Sequence, residues 1–484
     1  MRLLKDVLYG VNIVSVSGST EINFNKIEFN SNKISRNDLF IAIKGNSVDG
    51  NMYVSDAIEN GAKIILSEGF PTKTSKDVTY VIVRDSRAAL AIISSNYYDN
   101  PTSKFKLIGV TGTNGKTTTT TLMHQLFSLL GHKVGLISTN KILINNNVIE
   151  STHTTPDPLS LNKIFGRMVE VGVEFCFMEV SSHAIDQKRI HGLSFDVGVF
   201  TNLSHDHLDY HNSFKEYRDV KKKFINSLSE DSLVLINVDD KNGVYMTQNT
   251  NAKIFKYALK SSSDFSLQIL EKDFNGMKLL INGFEVWSKL IGEFNAYNIL
   301  ATYSLSRALN YSDEQILSKI SSLVSVDGRF EKISYKNNIG VIDYAHSPDS
   351  IQKILETLND LKNKKEQLIT VIGCGGDRDK AKRPLMGKIA ASLSDTVIFT
   401  SDNPRFEDPK SIIFQMETGV EENDMIKVLK IIDRRKAIEF ACQIAKENDV
   451  ILVAGKGHEK YQVKGNVKEA FDDKETLIKS LKIK

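Results

Sequence analysis

The sequence of 484 residues contains only three cysteines, Cys176, Cys374 and Cys442. Their wide spacing includes no Cys-x-x-Cys metal pattern, so we expect reduced thiols in the cytosol. No stretch of eighteen consecutive apolar residues is present that could span a bilayer. The first residues, 1–6, lack the apolar run of a signal peptide. We therefore expect a cytoplasmic protein that does not insert into a membrane.

An excess of charge of one sign is also missing. The chain carries 62 Lys and Arg against 59 Asp and Glu, a formal net charge of +3, and these residues are scattered. This distribution gives no electrostatic basis for binding nucleic acid or a membrane surface. The hydrophobic content of 41% is ordinary for a globular protein. At about 150 residues per domain, the length predicts about three domains.

The most informative segment joins an apolar strand, Leu107–Val110, to a Gly-rich turn that ends in Lys-Thr. Gly112 and Gly115 let consecutive backbone N–H groups converge on phosphate oxygens. Lys116 supplies a mobile positive charge, and the Thr117 hydroxyl can ligate the Mg²⁺ that accompanies ATP. The predicted nucleotide-binding residues here are Gly112, Thr113, Asn114, Gly115, Lys116, Thr117 and Thr118.

The residues after this turn predict a helix whose N-terminus adds a positive field to the phosphate site. Its expected apolar face consists of Leu122, Met123, Leu126, Leu129 and Leu130. The usual P-loop has a glycine where this chain has Val110. An ordinary Gly-rich turn between a strand and a helix is the alternative interpretation.

Apolar runs of strand type alternate with helical patterns along most of the chain. This alternation predicts a largely parallel sheet covered by helices, with ligands at the carboxyl ends of the strands. We predict an α/β protein with a small N-terminal domain at 1–98, a central P-loop domain at 99–331 and a C-terminal Rossmann-like domain at 332–484. The main strands expected in the last two domains are 107–110, 134–138, 175–180, 197–201, 233–238, 340–343, 368–373, 396–400 and 450–454.

Two polar side chains follow apolar strands of the central region. Glu179 closes one strand, and His207 follows another. Both would lie where the P-loop holds phosphate, and Mg²⁺ prefers oxygen ligands but tolerates an imidazole. They could therefore hold a second metal ion against the γ-phosphate, although a satisfied polar group at a strand end is the plain alternative. A zinc site in the segment 206–211 is disfavoured because thiols are absent there.

These motifs together resemble the Mur ligases, and the resemblance covers nearly the whole chain. It is closest to the members that add the third residue of the cell-wall peptide. The order and number of matching segments make coincidence an inadequate explanation. The matching segments are 109–118, 154–156, 179–183, 201–203, 206–211, 327–331 and 343–346.

The resemblance implies three α/β domains, ATP bound between the central and C-terminal ones, and an amide bond made through an acyl phosphate. Lys116 and two Mg²⁺ ions would stabilise phosphoryl transfer. Asn295 and Asn298 would contact the adenine. Arg329 would contact a phosphate and Asp343 the ribose. For a lone asparagine, a turn or a helix cap is the plainer interpretation.

Lys221 matches the family lysine that CO₂ carbamylates and that then bridges to Mg²⁺. A carbamate turns a cation into a carboxylate-like ligand and reverses its local electrostatic effect. Together with Lys116, Glu179 and His207, it completes the predicted catalytic set, and Thr117, Glu179, His207 and Lys221 form the predicted metal set. By itself, the run of three lysines at 221–223 would be a solvated helix face.

The resemblance also implies a site for a uridine nucleotide sugar carrying a dipeptide. Its residues are Phe29, Ser31, Asn46, Ser47, Val48, His153, Thr154, Thr155, Ser181, Gln187 and Arg189. At positions 30–32 this chain has Asn-Ser-Asn, whereas the family usually has Asp-Ser-Arg. At position 153 it has His, where Asn is common in the family. Arg189 is a suitable partner for an anion.

The third domain offers two guanidinium groups, Arg378 and Arg405. A guanidinium matches a carboxylate in a two-pronged geometry, so the pocket should favour an amino acid with an additional carboxylate, which lysine lacks. In the family, Asp-Asn-Pro-Arg accompanies meso-diaminopimelate, and Gly455 and Glu459 match positions that hold its distal amino end. The segment here is Asp402, Asn403, Pro404 and Arg405. A surface salt bridge is the alternative for an isolated arginine.

We therefore predict an ATP- and Mg²⁺-dependent monomeric ligase that joins a diamino diacid to UDP-N-acetylmuramoyl-L-alanyl-D-glutamate. Meso-lanthionine has nearly the same length and end groups as meso-diaminopimelate, and the sequence does not separate the two. The alternatives are a lysine-adding Mur ligase, a ligase similar to folylpolyglutamate synthetase, and a nucleotide-switched binding protein.

Overall fold

The computed structural model describes residues 1–45, 48–149 and 153–483. The N-terminal part forms a five-stranded sheet in the order β2-β7-β6-β5-β4, in which only β2 runs antiparallel to its neighbour. A short pair, β1 and β3, lies beside it. The elements are β1 (Arg2–Leu3), α1 (Leu4–Val7), β2 (Ile13–Ser17), β3 (Asn23–Phe24), β4 (Ile27–Glu28), β5 (Leu39–Ile41), α2 (Val54–Glu59), β6 (Ile64–Ser67), β7 (Thr79–Val83) and α3 (Ser86–Tyr97).

The central part is built on an eleven-stranded sheet in the order β11-β10-β9-β12-β8-β13-β14-β15-β16-β17-β18. The strands from β9 to β16 in this order are parallel, as predicted. The elements are β8 (Lys106–Thr111), α4 (Lys116–Leu129), β9 (Val134–Ile137), β10 (Ile142–Ile144), β11 (Asn147–Ile149), α5 (Pro158–Glu170), β12 (Phe175–Glu179), α6 (Ser182–Asp186), β13 (Val197–Phe200), α7 (Phe214–Asn226), β14 (Leu233–Asn237), α8 (Gly243–Met246), β15 (Lys253–Ala258), β16 (Phe265–Asp273), β17 (Gly276–Ile281), β18 (Phe284–Ser288), α9 (Glu293–Ala308) and α10 (Asp313–Ile320).

Antiparallel hairpins extend both edges of this sheet, and the sequence interpretation did not include them. The pair β17 and β18 is joined by Asn282 and Gly283, whose φ values of 47° and 88° lie in the left-handed region. An Asn-Gly pair is typical of a tight hairpin turn because both residues tolerate positive φ. At the other edge, β10 pairs with β9 and β11 in the same antiparallel way.

The C-terminal part forms a six-stranded sheet in the order β19-β20-β24-β21-β22-β23, parallel except for β19. A small hairpin, β25 with β26, lies outside it. The elements are β19 (Glu331–Tyr335), β20 (Asn338–Asp343), α11 (Pro348–Leu361), β21 (Leu368–Ile372), α12 (Lys382–Leu393), β22 (Thr396–Phe399), α13 (Pro409–Glu417), β23 (Val428–Lys430), α14 (Arg434–Ile444), β24 (Val450–Ala454), β25 (Tyr461–Lys464), β26 (Val467–Ala470) and α15 (Asp473–Ile483).

Helix α4 follows the P-loop and is covered on two sides. It packs against β9 and β12 of the sheet and also against α9. Leu122, Met123 and Leu126 are buried, but Leu129 is 43% exposed, so its predicted place on the buried face is wrong. Phe127 is buried instead, because its ring packs against those of Phe175 and Phe177 on β12, at 4.7 Å and 5.1 Å between ring centres.

The three sheets follow the predicted sequence of α/β units. Helix α3 packs against α5 and so joins the N-terminal part to the central one. Strand β19 starts at Glu331, the last residue of the predicted central domain, and the boundaries at 98 and 331 stay predictions. Among the described residues, no helix is both long enough and apolar enough to span a membrane.

Candidate active site

Two glycines shape the turn after β8. Gly112 has φ +152°, and a Cβ there would lie 1.9 Å from the Thr201 hydroxyl oxygen. Gly115 has φ +86°, and a Cβ there would lie 2.7 Å from Oδ1 of Asn298. Both positions therefore exclude larger residues, because the chain approaches its neighbours closely in a conformation that favours glycine.

The neighbouring strand β13 holds this loop in place through the two residues that follow it. The Thr113 N–H donates to the Asn202 carbonyl at 2.8 Å, and the Asn114 N–H donates to Oδ1 of Asn202 at 3.0 Å. The Thr201 hydroxyl donates to the Asn114 carbonyl at 2.7 Å. In the sequence analysis, Thr201 and Asn202 appear only in the matching segment 201–203 and are assigned no role. Their position at the carboxyl end of a predicted strand could have indicated that they lie near the ligand site.

Two lysines meet at the Gly112 carbonyl. Nζ of Lys116 donates to it at 3.0 Å and to the Thr113 carbonyl at 2.8 Å. Nζ of Lys221, on α7, donates to the same Gly112 oxygen at 2.7 Å. Burial, together with repulsion from Lys116, lowers the pKa of Lys221 well below its ordinary value. The site thus brings two amines together in a poorly solvated place.

The three-lysine run is not a solvated face. Lys221 is 1% exposed and Lys222 is 7% exposed, whereas Lys223 is exposed. Nζ of Lys222 donates to Oε1 of Gln248 at 3.1 Å and lies 3.9 Å from the centre of the Tyr245 ring. Each of the two buried lysines therefore has its own partners, and only the third faces solvent.

Glu179 ends β12 and is almost completely buried. Its Oε1 accepts a bond from the Thr139 N–H at 2.7 Å, and its Oε2 accepts one from the Thr139 hydroxyl at 3.2 Å. The Thr139 hydroxyl also lies 3.0 Å from that of Thr154. Thr139 was missed from the sequence, because its role depends on the turn after β9 reaching across to β12.

His207 has a left-handed backbone, with φ 56°, and belongs to a group of aromatic rings. Its ring centre lies 4.9 Å from that of His183. Burial lowers the pKa of His207, and the charges of Lys116 and Lys221 add to this effect against the opposing carboxylate of Asp206. The imidazole is therefore neutral near pH 7 and keeps a lone pair for a ligand.

The described part of the chain contains no group of three or more His, Cys, Asp or Glu side chains placed to hold a metal ion. Any metal ion at the P-loop would therefore need other oxygen ligands as well. Thr117, Glu179, His207 and Lys221 all line the same cavity as the loop.

A cavity of about 520 Å³ lies beside Gly115, between the central and C-terminal sheets. Asn295 and Asn298, on α9, both line it. Nδ2 of Asn298 donates to Oδ1 of Asn295 at 3.1 Å, and Oδ1 of Asn298 accepts from the Thr119 hydroxyl at 3.0 Å. These bonds tie the two side chains to each other and to α4, next to the phosphate loop.

Asp343 lies in the wall of this cavity at the end of β20. Its two oxygens accept bonds from the Phe330 and Ala345 N–H groups, both at 2.6 Å. Burial raises the pKa of Asp343 to about 6, although the nearby Arg329 guanidinium acts in the opposite direction. The carboxylate is therefore ionised at neutral pH and costs the fold free energy there.

Two residues far along the chain contact the P-loop, and one of them, Asp349, belongs to the predicted C-terminal domain. Nη2 of Arg329 donates to the Thr117 hydroxyl at 3.2 Å. Nδ2 of Asn114 donates to Oδ2 of Asp349, in the first turn of α11, at 2.9 Å. Asp349 was missed because acidic residues are common in the first turn of a helix, where they interact favourably with the helix dipole.

A second cavity of about 550 Å³ lies on the other side of this junction. It shares with the first the six lining residues Asn114, Gly115, Thr118, Arg329, Tyr344 and His346. Its remaining wall holds most of the predicted site. The predicted residues there are Thr113, Lys116, Thr117, His153, Thr154, Thr155, Glu179, Ser181, Arg189, His207, Lys221, Arg378, Asp402, Asn403, Arg405, Gly455 and Glu459.

The far end of the second cavity contains the predicted amino-acid pocket. Nη1 of Arg405 donates to the Gly376 carbonyl at 2.7 Å. Nδ2 of Asn403 donates to Oε2 of Glu459 at 2.8 Å. Nζ of Lys456, which is fully buried, donates to the same carboxylate oxygen at 2.8 Å. Lys456 was missed, because a lysine between two glycines gives no signal of burial.

Some predicted residues do not line either cavity. Gln187 instead accepts a bond from Nη2 of Arg189 at 2.7 Å, and Nη1 of Arg189 donates to the Thr155 carbonyl at 2.7 Å. Phe29 is 38% exposed and Val48 is 51% exposed in the N-terminal part, where Ser31 is buried. Gly112 and Pro404 also line neither cavity. Asn46 and Ser47 lie outside the described residues.

A P-loop domain flanked by two α/β domains, with residues of the loop lining two cavities, is typical of a nucleotide-dependent multidomain enzyme. Three family models match the chain: Mur ligase family, catalytic domain, at residues 23–98; Mur ligase middle domain at 110–305; and Mur ligase, glutamate ligase domain, at 328–457. The chain belongs to the Mur ligase family.

Curated relatives match over almost the full length. The chain is 48% identical over 480 residues to UDP-N-acetylmuramoyl-L-alanyl-D-glutamate--2,6-diaminopimelate ligase of Cytophaga hutchinsonii, covering 99% of this chain and 98% of the relative. It is 47% identical to the protein of the same name from Parabacteroides distasonis, covering 98% of each chain. A solved structure of a ligase with this name has a TM-score of 0.70 and 29% identity, and covers 100% of this chain and 99% of its own.

Proposed function

We propose that this protein is an ATP-dependent ligase that joins meso-2,6-diaminopimelate to the D-glutamate of UDP-N-acetylmuramoyl-L-alanyl-D-glutamate, a precursor of peptidoglycan. The relatives that carry this name support the choice of reaction, because they match almost the whole chain. Meso-lanthionine is a second candidate amino acid, since it has the same end groups and nearly the same length.

One observation carries the proposal. The P-loop lysine, Arg378, Arg405 and Glu459 all line a single cavity. A phosphate held at Lys116 and a carboxylate held by the two guanidinium groups would therefore share one space. Such a space suits an amine that attacks an activated acid, and a simple nucleotide switch would not need it.

The chemistry follows from the poor leaving group of a carboxylate. An oxygen of the D-glutamate carboxylate attacks the γ-phosphorus of ATP, ADP leaves, and a mixed anhydride forms. The amine of the second substrate then attacks the acyl carbon, the amide bond forms, and phosphate leaves as the amine loses its proton. Lys116 and Arg329 would neutralise the oxygens of the transferred phosphoryl group.

The residues at the P-loop fit Mg²⁺. The Thr117 hydroxyl and the Glu179 carboxylate are oxygen donors, and the neutral His207 adds a lone pair. When bound, Mg²⁺ neutralises phosphate charge. Glu179 is already oriented by Thr139, which supports a prepared carboxylate ligand.

Lys221 is suited to carbamylation. Its lowered pKa increases the fraction of neutral amine, and an amine with a free lone pair adds to CO₂ with loss of one proton. The product is an anionic carbamate, which would relieve the repulsion between Lys221 and Lys116. We propose that this modified form is the active one and that its carbamate joins Thr117, Glu179 and His207 around a metal ion.

The muramyl dipeptide would enter from the side of the N-terminal domain. Arg189, Thr154, Thr155 and Ser181 would hold the peptide end, because all four line the second cavity. The uridine end would extend toward Phe29, Ser31 and Val48. Gln187 would act by orienting Arg189, to which it is already bonded.

The test is phosphate release by the purified protein with ATP, Mg²⁺ and the UDP-dipeptide. Release is expected with meso-diaminopimelate and should be close to background with lysine. Comparable rates with lysine would point to a lysine-adding ligase. Release with a folate and glutamate would point to the folylpolyglutamate synthetase alternative. Slow hydrolysis that needs neither co-substrate would favour a nucleotide-switched binding protein.

We also propose that the protein works in the cytoplasm as a monomer, on small molecules and without nucleic acid or membrane partners. Sedimentation of the purified protein with and without ATP measures the oligomeric state.

A further inference from the structure

An ion pair between a buried arginine and a partly buried glutamate lies next to the segments that carry the two arginines of the proposed amino-acid pocket. Arg383, in the first turn of α12, is fully buried. Its Nη1 donates to Oε2 of Glu407 at 2.9 Å, and its Nη2 donates to Oε1 at 2.8 Å. This two-pronged pairing is the strong geometry for a guanidinium and a carboxylate. Neither residue lines a cavity.

Arg383 and Glu407 are also hydrogen-bonded to the loop that carries Arg378. Nη2 of Arg383 donates to the Gly375 carbonyl at 3.1 Å. At the other end of the loop, the Asp377 N–H donates to Oε1 of Glu407 at 2.6 Å. The loop is thus held at both ends immediately before Arg378.

The loop is also bonded to the segment that carries Arg405. The Gly376 N–H donates to the Asn403 carbonyl at 2.9 Å, and Nη1 of Arg405 donates to the Gly376 carbonyl at 2.7 Å. Glu407 follows this segment directly, and its N–H donates to the Pro404 carbonyl at 3.0 Å. The ion pair therefore sits where the two arginine-bearing segments meet.

Both segments contain a residue in a backbone conformation that needs external support. Asp377 has φ 50° and Arg405 has φ 51°, and neither is a glycine. Residues in this region persist when surrounding bonds hold them. The bonds from Glu407 to the Asp377 N–H and from Arg405 to Gly376 supply that support.

We propose that Arg383 and Glu407 are positioning residues for the amino-acid pocket. They fix the separation of the Arg378 and Arg405 guanidinium groups and thereby select a substrate with a distal carboxylate. This inference rests on the proposed function, because it names the part of the chain that tunes the same site. The bond from Arg383 lowers the pKa of Glu407 to about 2, so the pair stays ionised in any assay near neutral pH.

The test is a steady-state comparison of E407Q with the wild type, in which the KM of each of the three substrates is measured separately. Glutamine has the same shape but removes the charge and one acceptor for Arg383. A small displacement of a positioned group can cost up to about 100-fold, so we expect a KM for meso-diaminopimelate raised about tenfold or more. The KM values for ATP and the UDP-dipeptide should stay within about twofold.

The matched control is E417Q in the same domain. Glu417 is 17% exposed and pairs with Lys430 at 2.8 Å, while Glu407 is 16% exposed. E417Q makes the same substitution at an equally exposed glutamate that lines neither cavity, and it should leave all three KM values within about twofold of the wild type. R383K provides a second variant, because lysine keeps the charge but cannot reach both carboxylate oxygens and Gly375 together. It should reproduce the selective rise.

The outcomes distinguish failure of the proposed positioning role from failure of the proposed function. Equal rises in all three KM values for E407Q and R383K, or no rise for meso-diaminopimelate, would overturn the positioning role while leaving the ligase intact. A wild type that releases no phosphate with meso-diaminopimelate would instead overturn the proposed function. If E407Q does not fold, shown by loss of its cooperative thermal transition, R383K decides the question.

Discussion

Replacement of Arg405 by alanine gives the sharpest test of the amino-acid pocket. One N–H of the Arg405 guanidinium is used on the Gly376 carbonyl, and a guanidinium has five such donors. The remaining donors are available to the cavity that Arg405 lines. Arg405→Ala should therefore weaken binding of the diamino diacid without touching the nucleotide cavity, whose wall does not include this residue.

The size of the effect follows from the bonds lost. A hydrogen bond to a charged group contributes about 1.5 to 3 kcal/mol, and about 1.36 kcal/mol corresponds to a factor of ten. The KM for meso-diaminopimelate should therefore rise about 10-fold to 150-fold. Lysine has no distal carboxylate, so the weak activity with lysine should hardly change.

The assay is phosphate release at saturating ATP and UDP-dipeptide, with the amino acid varied, and then with ATP varied. Arg435→Ala is the matched control, because Arg435 is an exposed arginine of the same domain that lies 5.3 Å from the Phe471 ring. Its KM values should match the wild type. If Arg405→Ala raised the KM for ATP as much as that for the amino acid, or raised neither, the reasoning would be refuted.

Three further predictions concern the nucleotide side. Lys116→Ala should lower kcat by about 100-fold or more with an unchanged circular dichroism spectrum, because the ammonium that stabilises the transferred phosphoryl group is lost. Near-normal turnover would exclude this role for Lys116. Gly112→Ala should abolish ATP binding in a calorimetric titration, since its Cβ would lie 1.9 Å from the Thr201 hydroxyl, and unchanged affinity would contradict it. Because the pKa of Asp343 is raised from 3.8 to about 6, the folded state holds this proton more tightly than the unfolded one, and the free energy of unfolding should fall by about 2 kcal/mol as the pH rises from about 4 to about 6. Urea unfolding at both pH values should show that Asp343→Asn lacks this loss, and an equal loss in the variant would refute the assignment.

The parallel strands and the P-loop could be predicted because their signals are local. The apolar run before Gly112 and the Lys-Thr ending identify a strand, a loop and a helix within one short segment. The predicted strands agree with the observed ones to within one or two residues, as for 368–373 against Leu368–Ile372. The edge hairpins were missed, although Asn282-Gly283 between β17 and β18 was a readable turn signal.

The parts of the site that could not be predicted depend on contacts distant in the sequence. Glu407 lies 24 positions from Arg383, and Asp349 lies 235 positions from Asn114. Spacing within one segment carries no information about such pairs. The burial of Lys222 could not be predicted for the same reason, because it depends on contacts with Tyr245 and Gln248 of another segment. The roles assigned to individual site residues stay predictions.

The wall that the two cavities share has a consequence for inhibitor design. Arg329 and Tyr344 line both cavities, so ligands bound in the two cavities would contact the same two side chains. Joining two weak fragments by a linker of matching length makes the second binding event intramolecular, and the combined affinity can exceed either one by about 100-fold to 10,000-fold. Such a linker would pass Arg329 and Tyr344, with an anionic group placed to meet the ammonium of Lys116 in the second cavity.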